Sequence, residues 1–411
     1  MFMKKKFLCV VILMIFVLCV GCKKQEKSLT ICVDSYYAEQ ARNLIEAWQH
    51  FNDSSTKVEL VVIPQKQDEA EIKLTEIRTE IMSGGGPDIF ILDTVNPHVV
   101  EEQVVLFDNV EKAMHSDIFL PLDEYFSGAQ YMHTDAYNPV IFDSGKTEEG
   151  QCVLPIYYNY FLTAVTQADD EDPVEIPSSW DEVFKNSDKY IHNLNSFFMC
   201  RFYDLFGKYT DYNSGTLLYT EDDMLARVQE AIEYDNAYLE ITFDENVYSG
   251  LPYNVLKDLE ANKDAEHSLY VTPSVRGGIT AYVTRYAAIN RNTKHPEEAF
   301  SILDMLFSDQ VMCDEGFIDD EKHYGNLLGL SYAGFSVPVH EGAFHKAYSL
   351  SDEDARALED LNSQITAVSY YSNLDLDLLE MYNQCRYVTD VSEQKEIVSR
   401  IYNKMQMKLA E

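Results

Sequence analysis

The sequence predicts an α/β protein, and three observations carry that prediction. Over residues 29–92, strand-like apolar runs alternate with segments that place apolar residues at three- and four-residue steps, the order that builds a parallel sheet. The chain has 411 residues, enough for two domains of ordinary size or one large domain split around a cleft. Hydrophobic residues make up 46% of it and charged residues 25%, which supports a real core and argues against wholesale disorder.

The elements follow in order. Leu29 to Val33 is a short apolar strand that ends at Asp34-Ser35-Tyr36-Tyr37. Ala41, Leu44, Ile45 and Trp48 mark one face of a helix, and Val58 to Ile63 is a second strand stopped by Pro64. Ala70, Leu74, Ile77 and Ile81 mark the next helix, ended by Gly84-Gly85-Gly86-Pro87 because glycine accepts a left-handed C-cap and proline cannot continue the helix. Asp88 to Leu92 is a third strand, closed by Asp93, and Leu154 to Val165 reads as one further extended run. Ser179 caps a helix that begins at Trp180, with acids in its first turn. Residues 183–265 read as mostly helical, Thr272 to Thr280 as a loop into a strand over Ala281 to Asn290, and Pro296 to Phe307 as a helix with proline in its first turn. Ser336 to Val339 is a short extended crossing, and residues 351–411 hold two or three helices.

The first 22 residues form an address label. Three lysines precede an unbroken apolar run, Phe7 to Val20, which is shorter than the roughly 20 residues a permanent span requires. Leu18-Cys19-Val20-Gly21-Cys22 resembles a bacterial lipobox, with Cys19 where leucine is usual, so Cys22 is the expected lipidation site. Residues 23–28 are the expected tether, and the expected location is the outer face of the bacterial cytoplasmic membrane. Five cysteines lie beyond Cys22, scattered and without CxxC or CxxH spacing, so neither a disulfide framework nor a zinc site follows.

Charge excludes some partners. Acids number 69 against 32 Lys plus Arg, a formal charge of −37, which repels nucleic acid and anionic lipid headgroups. Asp169-Asp170-Glu171-Asp172 lacks the EF-hand pattern and reads as a solvated turn. The histidines of His340-Glu341-Gly342-Ala343-Phe344-His345 are five apart and do not share a helix face as a zinc-protease pair must. No nucleophile elbow, Walker loop or dinucleotide fingerprint is present. No cofactor and no metal are expected.

Five phrases in order resemble the extracellular solute-binding proteins of ABC importers, in the family that includes maltose-binding protein. They are Ser83 to Ile89, Leu154 to Tyr160, Pro177 to Val183, Asn290 to Phe300 and Gly334 to His340. The resemblance implies a type II periplasmic-binding-protein-like fold, with two α/β lobes around a ligand cleft and several crossovers. Lobe one is expected to hold 28–155 and 282–335, and lobe two 156–281 and 336–411. The implied function is a lipid-anchored monomeric receptor, not an enzyme, that captures a small solute, favoured as an oligosaccharide, and delivers it to a membrane permease. Rival ligands are a cationic solute such as a polyamine, which strong acidity would suit, and ferric iron held by tyrosines. A thiaminase-like enzyme on the same fold would need Cys152 or Cys200 as nucleophile.

In open parallel sheets ligands bind beyond the carboxyl ends of strands. That rule nominates Asp34, Tyr36 and Tyr37 after the first strand, and Asp93 with Thr94 after the third. Facing them would be Tyr158 and Asn159, and Asn195 and Phe198 at a helix start. Arg276, between Pro273 and a glycine pair, is the strongest single candidate because it has little packing purpose. Asp34 and Asp93 have a second reading as helix caps, and Phe198 one as core. Of Tyr157 and Tyr158, neighbours on a strand, one must face inward. Sugars need aromatic rings against their C–H faces and Asp, Asn or Arg at the hydroxyl rim. With 28 Tyr and two Trp, and with Trp48 and Trp180 placed for packing, the expected stacking rings are Tyr or Phe.

Overall fold

The computed structural model describes residues 28–98, 104–167, 175–192, 194, 198–238, 247–262, 265–319, 322–327 and 336–410. The leader with Cys22, the tether up to residue 27, the Asp169–Asp172 turn and Asn195 lie outside these residues.

Ten strands frame the site: β1 (Ser28–Asp34), β2 (Lys57–Ile63), β3 (Ile89–Asp93), β4 (Val153–Asn159), β5 (Leu162–Gln167), β6 (Val247–Gly250), β7 (Glu266–Tyr270), β8 (Ile279–Ile289), β9 (Val337–Pro338) and β10 (Ile365–Tyr370). Helices of ten residues or more are α1 (Ala38–Phe51), α2 (Gln67–Met82), α3 (Glu221–Tyr238), α4 (Pro252–Ala261), α5 (Pro296–Leu306), α6 (Asp352–Ser363), α7 (Asn373–Cys385) and α8 (Val391–Ala410). The main sheet has seven strands in the order β9-β4-β8-β3-β1-β2, with β10 paired to β8. β1 runs parallel to β2 and β3, as the alternating pattern predicts, and β8 runs antiparallel to both β3 and β4. A three-stranded sheet, β6-β5-β7, is antiparallel throughout.

The buried side chains fall into two clusters. One holds the main sheet with Trp48, Leu44, Leu74, Phe300 and Leu303 from its flanking helices. The other holds Trp180, Phe198, Phe202, Tyr234, Leu378 and Ile401, drawn largely from helices. β5 lies between them: Leu162 and Ala164 point into the first cluster and Val165 into the second, as alternation along a strand requires. The expected extended run over 154–165 is therefore two strands in two sheets, broken at Tyr160-Phe161. Residues 336–411, assigned above to lobe two, send β9 and β10 into the main sheet, and Ile156–Asn159 also stay there. Tyr370 and Tyr371 divide between the two clusters, so the chain leaves the main sheet at that point.

Two of the recognised phrases turn out to lock the fold. Gly84 and Gly86 take φ of +83° and +90°, a region open to glycine, and end α2. Asn290 Nδ2 then donates to Gly85 O (2.9 Å) and Pro87 O (2.8 Å), and Thr293 Oγ1 donates to Asp88 Oδ1 at 2.6 Å. Trp48 and Trp180 are 1% and 0% exposed, and Ser179 Oγ accepts from Glu182 N at 3.3 Å as the helix cap. Cys32, Cys152, Cys313 and Cys385 are free thiols. Among the described residues no helix is long and apolar enough to cross a membrane.

Candidate functional site

The pairing of β8 creates the site. β3 runs antiparallel to it over Arg285–Ile289, and β10 runs parallel to it over Ile279–Val283. The carboxyl ends of β3 and β10 therefore meet head to head at the middle of β8. Thr94 N donates to Thr284 O at 2.9 Å, and Tyr371 N to Val283 O at 3.4 Å. On the other side of β8, Asn159 ends β4 opposite Tyr282. A cavity of about 360 Å³ opens at this convergence, at the lower end of the range for small-molecule sites. Its wall includes Asp93 and Thr94 after β3, Asn159 after β4, Arg285 on β8 and Tyr371 after β10, with Tyr37 behind Asp93. Leu251 and Asn254 close it from the start of α4.

Arg285 organises one wall. Its Nε donates to Asp93 Oδ1 at 2.6 Å, and another of its nitrogens donates to the Tyr37 hydroxyl, which itself donates to Asp93 Oδ2 at 2.9 Å. The guanidinium lies 3.9 Å from the centre of the Tyr37 ring and 4.9 Å from that of Tyr157, a cation–π arrangement. Burial works against its charge, yet Asp93, Tyr37 and Tyr157 more than offset that and hold its pKa above the usual value. Behind them Asp34 Oδ2 accepts the Asp93 N–H at 2.9 Å. Burial and then the Asp93 charge push the Asp34 carboxyl up to about 7, against the opposing pull of that N–H and of Arg285.

Tyr371 and His98 add rings to the wall. Tyr371 stacks on Tyr282 with centroids 4.8 Å apart and planes 5° from parallel, and meets Tyr203 and His98 edge to face. His98 Nε2 lies 3.3 Å from the Tyr371 hydroxyl and 3.1 Å from that of Tyr203. Burial, with Arg201 nearby, lowers the His98 pKa to about 4, so the ring is neutral at neutral pH. The cavity thus offers hydroxyls, amides, one paired carboxylate and tyrosine rings. It can bind a polar solute through many hydrogen bonds.

A family model for bacterial extracellular solute-binding proteins matches residues 35–312. The chain belongs to that family. No curated protein sequence matches it. Among solved structures, a periplasmic oligogalacturonide-binding protein from Yersinia enterocolitica aligns with TM-score 0.58 at 13% identity, covering 93% of this chain and 99% of that one. A family 1 solute-binding protein from Alicyclobacillus acidocaldarius aligns with TM-score 0.56 at 12% identity, covering 95% and 100%. A solute-binding protein from Staphylococcus aureus in complex with maltose aligns with TM-score 0.52 at 13% identity, covering 94% and 99%. The fold is that of the type II periplasmic solute-binding proteins.

In this solute-binding protein Tyr37, Asp93, Thr94 and Asn159 of the nominated residues line the cavity, and Asp34 supports Asp93 from behind. Asp34 makes no side-chain cap bond to the turn that follows it. Five nominations lie off the lining or outside the described residues. Tyr36 is 65% exposed and off the lining, because Tyr37 takes the inward position. Tyr157 and Tyr158 are both buried, since β4 is covered on both faces: the Tyr158 hydroxyl lies 3.3 Å from Asn362 Oδ1, and the Tyr157 ring lies near Arg285. Phe198 packs against Trp180 at 4.9 Å in the second core. Arg276 lies over the Tyr219 ring at 3.8 Å and donates to Leu218 O at 2.9 Å, which is the packing purpose its loop concealed. Asn195 is not among the described residues. Sequence reasoning missed Arg285, His98 and Tyr371; only Arg285 left a signal, as the one charged residue in the apolar run Ile279–Ile289. Cys152 and Cys200 are off the lining and burial raises both thiol pKa values, so neither serves as a cavity nucleophile. Among the described residues no group of three or more His, Cys, Asp or Glu is placed to hold a metal ion.

Proposed function

We propose that the protein is the receptor of an ABC importer, lipid-anchored through Cys22 on the outer face of the cytoplasmic membrane. It captures a carbohydrate in the cavity at the middle of β8, between two lobes, and hands it unchanged to a permease. The observation that carries this reading is the cavity wall itself, which combines hydrogen-bonding groups from the ends of three strands with the rings of Tyr37 and Tyr371. Neighbours on the same fold described as binding oligogalacturonide or maltose support it. Solute binding would shift an open–closed equilibrium and so change the surface that a permease meets.

The test is a thermal-shift screen of the purified protein against neutral sugars, polyamines, amino acids and ferric iron. A sugar at one hundred times its Kd should stabilise the fold by about 2.7 kcal/mol and be recovered intact. Stabilisation by spermidine or iron alone, or a converted sugar, would defeat the reading. The anchor is tested separately: Cys22→Ser should move the protein from the membrane fraction to the medium, and continued anchoring would exclude lipidation at that residue.

A further inference from the structure

The charge inside the cavity does not follow the charge of the protein. The chain carries a formal −37, yet among the described residues the wall sets one carboxylate, Asp93, against one guanidinium, Arg285. Thr94, Asn96, Asn159, Asn254 and Thr284 add polarity without charge, and His98 stays neutral. Asp34 is off the lining, with its carboxyl turned to the Asp93 backbone.

We propose that the mutual neutralisation of Asp93 and Arg285 makes the site select an uncharged solute and reject both its anionic and its cationic counterparts. The inference rests on the carbohydrate reading above and narrows it to neutral sugars. Arg285 has a side chain only 8% exposed, lies close to the rings of Tyr37 and Tyr157, and donates to Asp93 and Tyr37. Asp93 is the accessible member of the pair, with its side chain 37% exposed. Its spare lone pairs suit a hydroxyl donor. A uronate placed there would meet a like charge at close range, with the guanidinium screened behind it. An ammonium would have to share a carboxylate already held at 2.6 Å, and would lose its hydration for little return. The acidity of the outer surface therefore says little about the ligand.

The experiment measures the affinity of the purified protein for maltose, mannobiose and galactobiose, each beside its uronate and its 2-amino counterpart. The neutral member of the bound series should be preferred over both charged ones by about tenfold or more. Asp93→Asn, which leaves Arg285 unneutralised, should raise relative affinity for the uronate. Arg285→Gln should raise it for the amino sugar. The double variant, again without net charge, should return to the neutral preference. A charged counterpart bound as tightly as the neutral sugar by the wild type would overturn the inference, as would ratios unmoved in Asp93→Asn. If Arg285→Gln fails to fold, the wild type and Asp93→Asn still decide. If the screen finds only non-sugar ligands, the carbohydrate reading itself has failed, and this inference with it.

Discussion

Tyr371→Ala should unfold the helical core at a lower urea concentration than the sheet core, and should remove sugar binding. Tyr371 is 2% exposed and belongs to the second cluster, while its backbone N–H is tied to β8 in the first. Alanine would delete the ring stacked on Tyr282 and the edge contacts to Tyr203 and His98, leaving a hole where the two cores meet. Truncating a buried aromatic residue costs about 3 kcal/mol, part transfer and part cavity. Each core carries one tryptophan: Trp48 in the sheet cluster and Trp180 in the helical one. Urea unfolding followed by fluorescence in Trp48→Phe and Trp180→Phe backgrounds therefore reads the two separately. The Trp180 transition should shift further than the Trp48 transition. Equal shifts would mean that the chain unfolds as a single cooperative unit. Tyr371→Phe keeps the ring and loses only the hydroxyl contacts to His98 and Tyr203, at about 1 kcal/mol. It should still bind sugar, which separates loss of the ring from loss of the hydroxyl.

Local physics was legible in the sequence, and convergence was not. The alternation over residues 29–92 gave three strands and two helices because each element carries its own period. Ser179, Gly84 and Gly86 were legible because caps and left-handed turns are single-residue chemistry. The break at Tyr160-Phe161 was hidden because β4 and β5 are both buried on both faces and read as one apolar run. β10 was hidden for the opposite reason: Ile365-Thr366-Ala367-Val368-Ser369-Tyr370 is short, mixed in polarity and set between helices. The site depends on β10 ending against β3 at the middle of β8, a meeting of residues near 94, 284 and 371 that no local window contains. Arg276 drew notice through its glycine-rich loop, where charge is inexpensive. Arg285 was the informative arginine, since a guanidinium within a buried strand must have a partner, and that partner was the already nominated Asp93.

Stability should fall as the pH rises from 5 to 8, the reverse of ordinary acid unfolding, and Asp34→Asn should blunt that fall. The carboxyls of Asp34 and Asp375 are both pushed up to about 7, chiefly by burial. Asp93 adds to the effect at Asp34. Bonds from the Tyr209 hydroxyl (2.6 Å) and Ser372 N (2.7 Å) only partly offset it at Asp375. Between about pH 4 and pH 7 the unfolded chain releases these protons and the folded chain keeps them. The unfolded state then binds fewer protons, so stability declines through that window. Burial raises Glu111 and Asp204 in the same direction. His98 opposes them: lowered to about 4, it contributes stability above its ordinary value of 6.5 that is lost as the pH falls. Hydrogen bonds lower Glu182, Asp211 and Asp223 and give them the same sign as His98, but those carboxyls titrate below the ordinary carboxylate range and leave this window to the raised groups. Asp34 keeps part of its surface exposed and has Arg285 beside it, so its share is about 2 kcal/mol, below what a fully buried carboxyl would give. Urea midpoints of wild type and Asp34→Asn at half-unit intervals check this. The two curves should lie closest near pH 5 and separate toward pH 8 with the variant above, and parallel curves would remove Asp34 as the source.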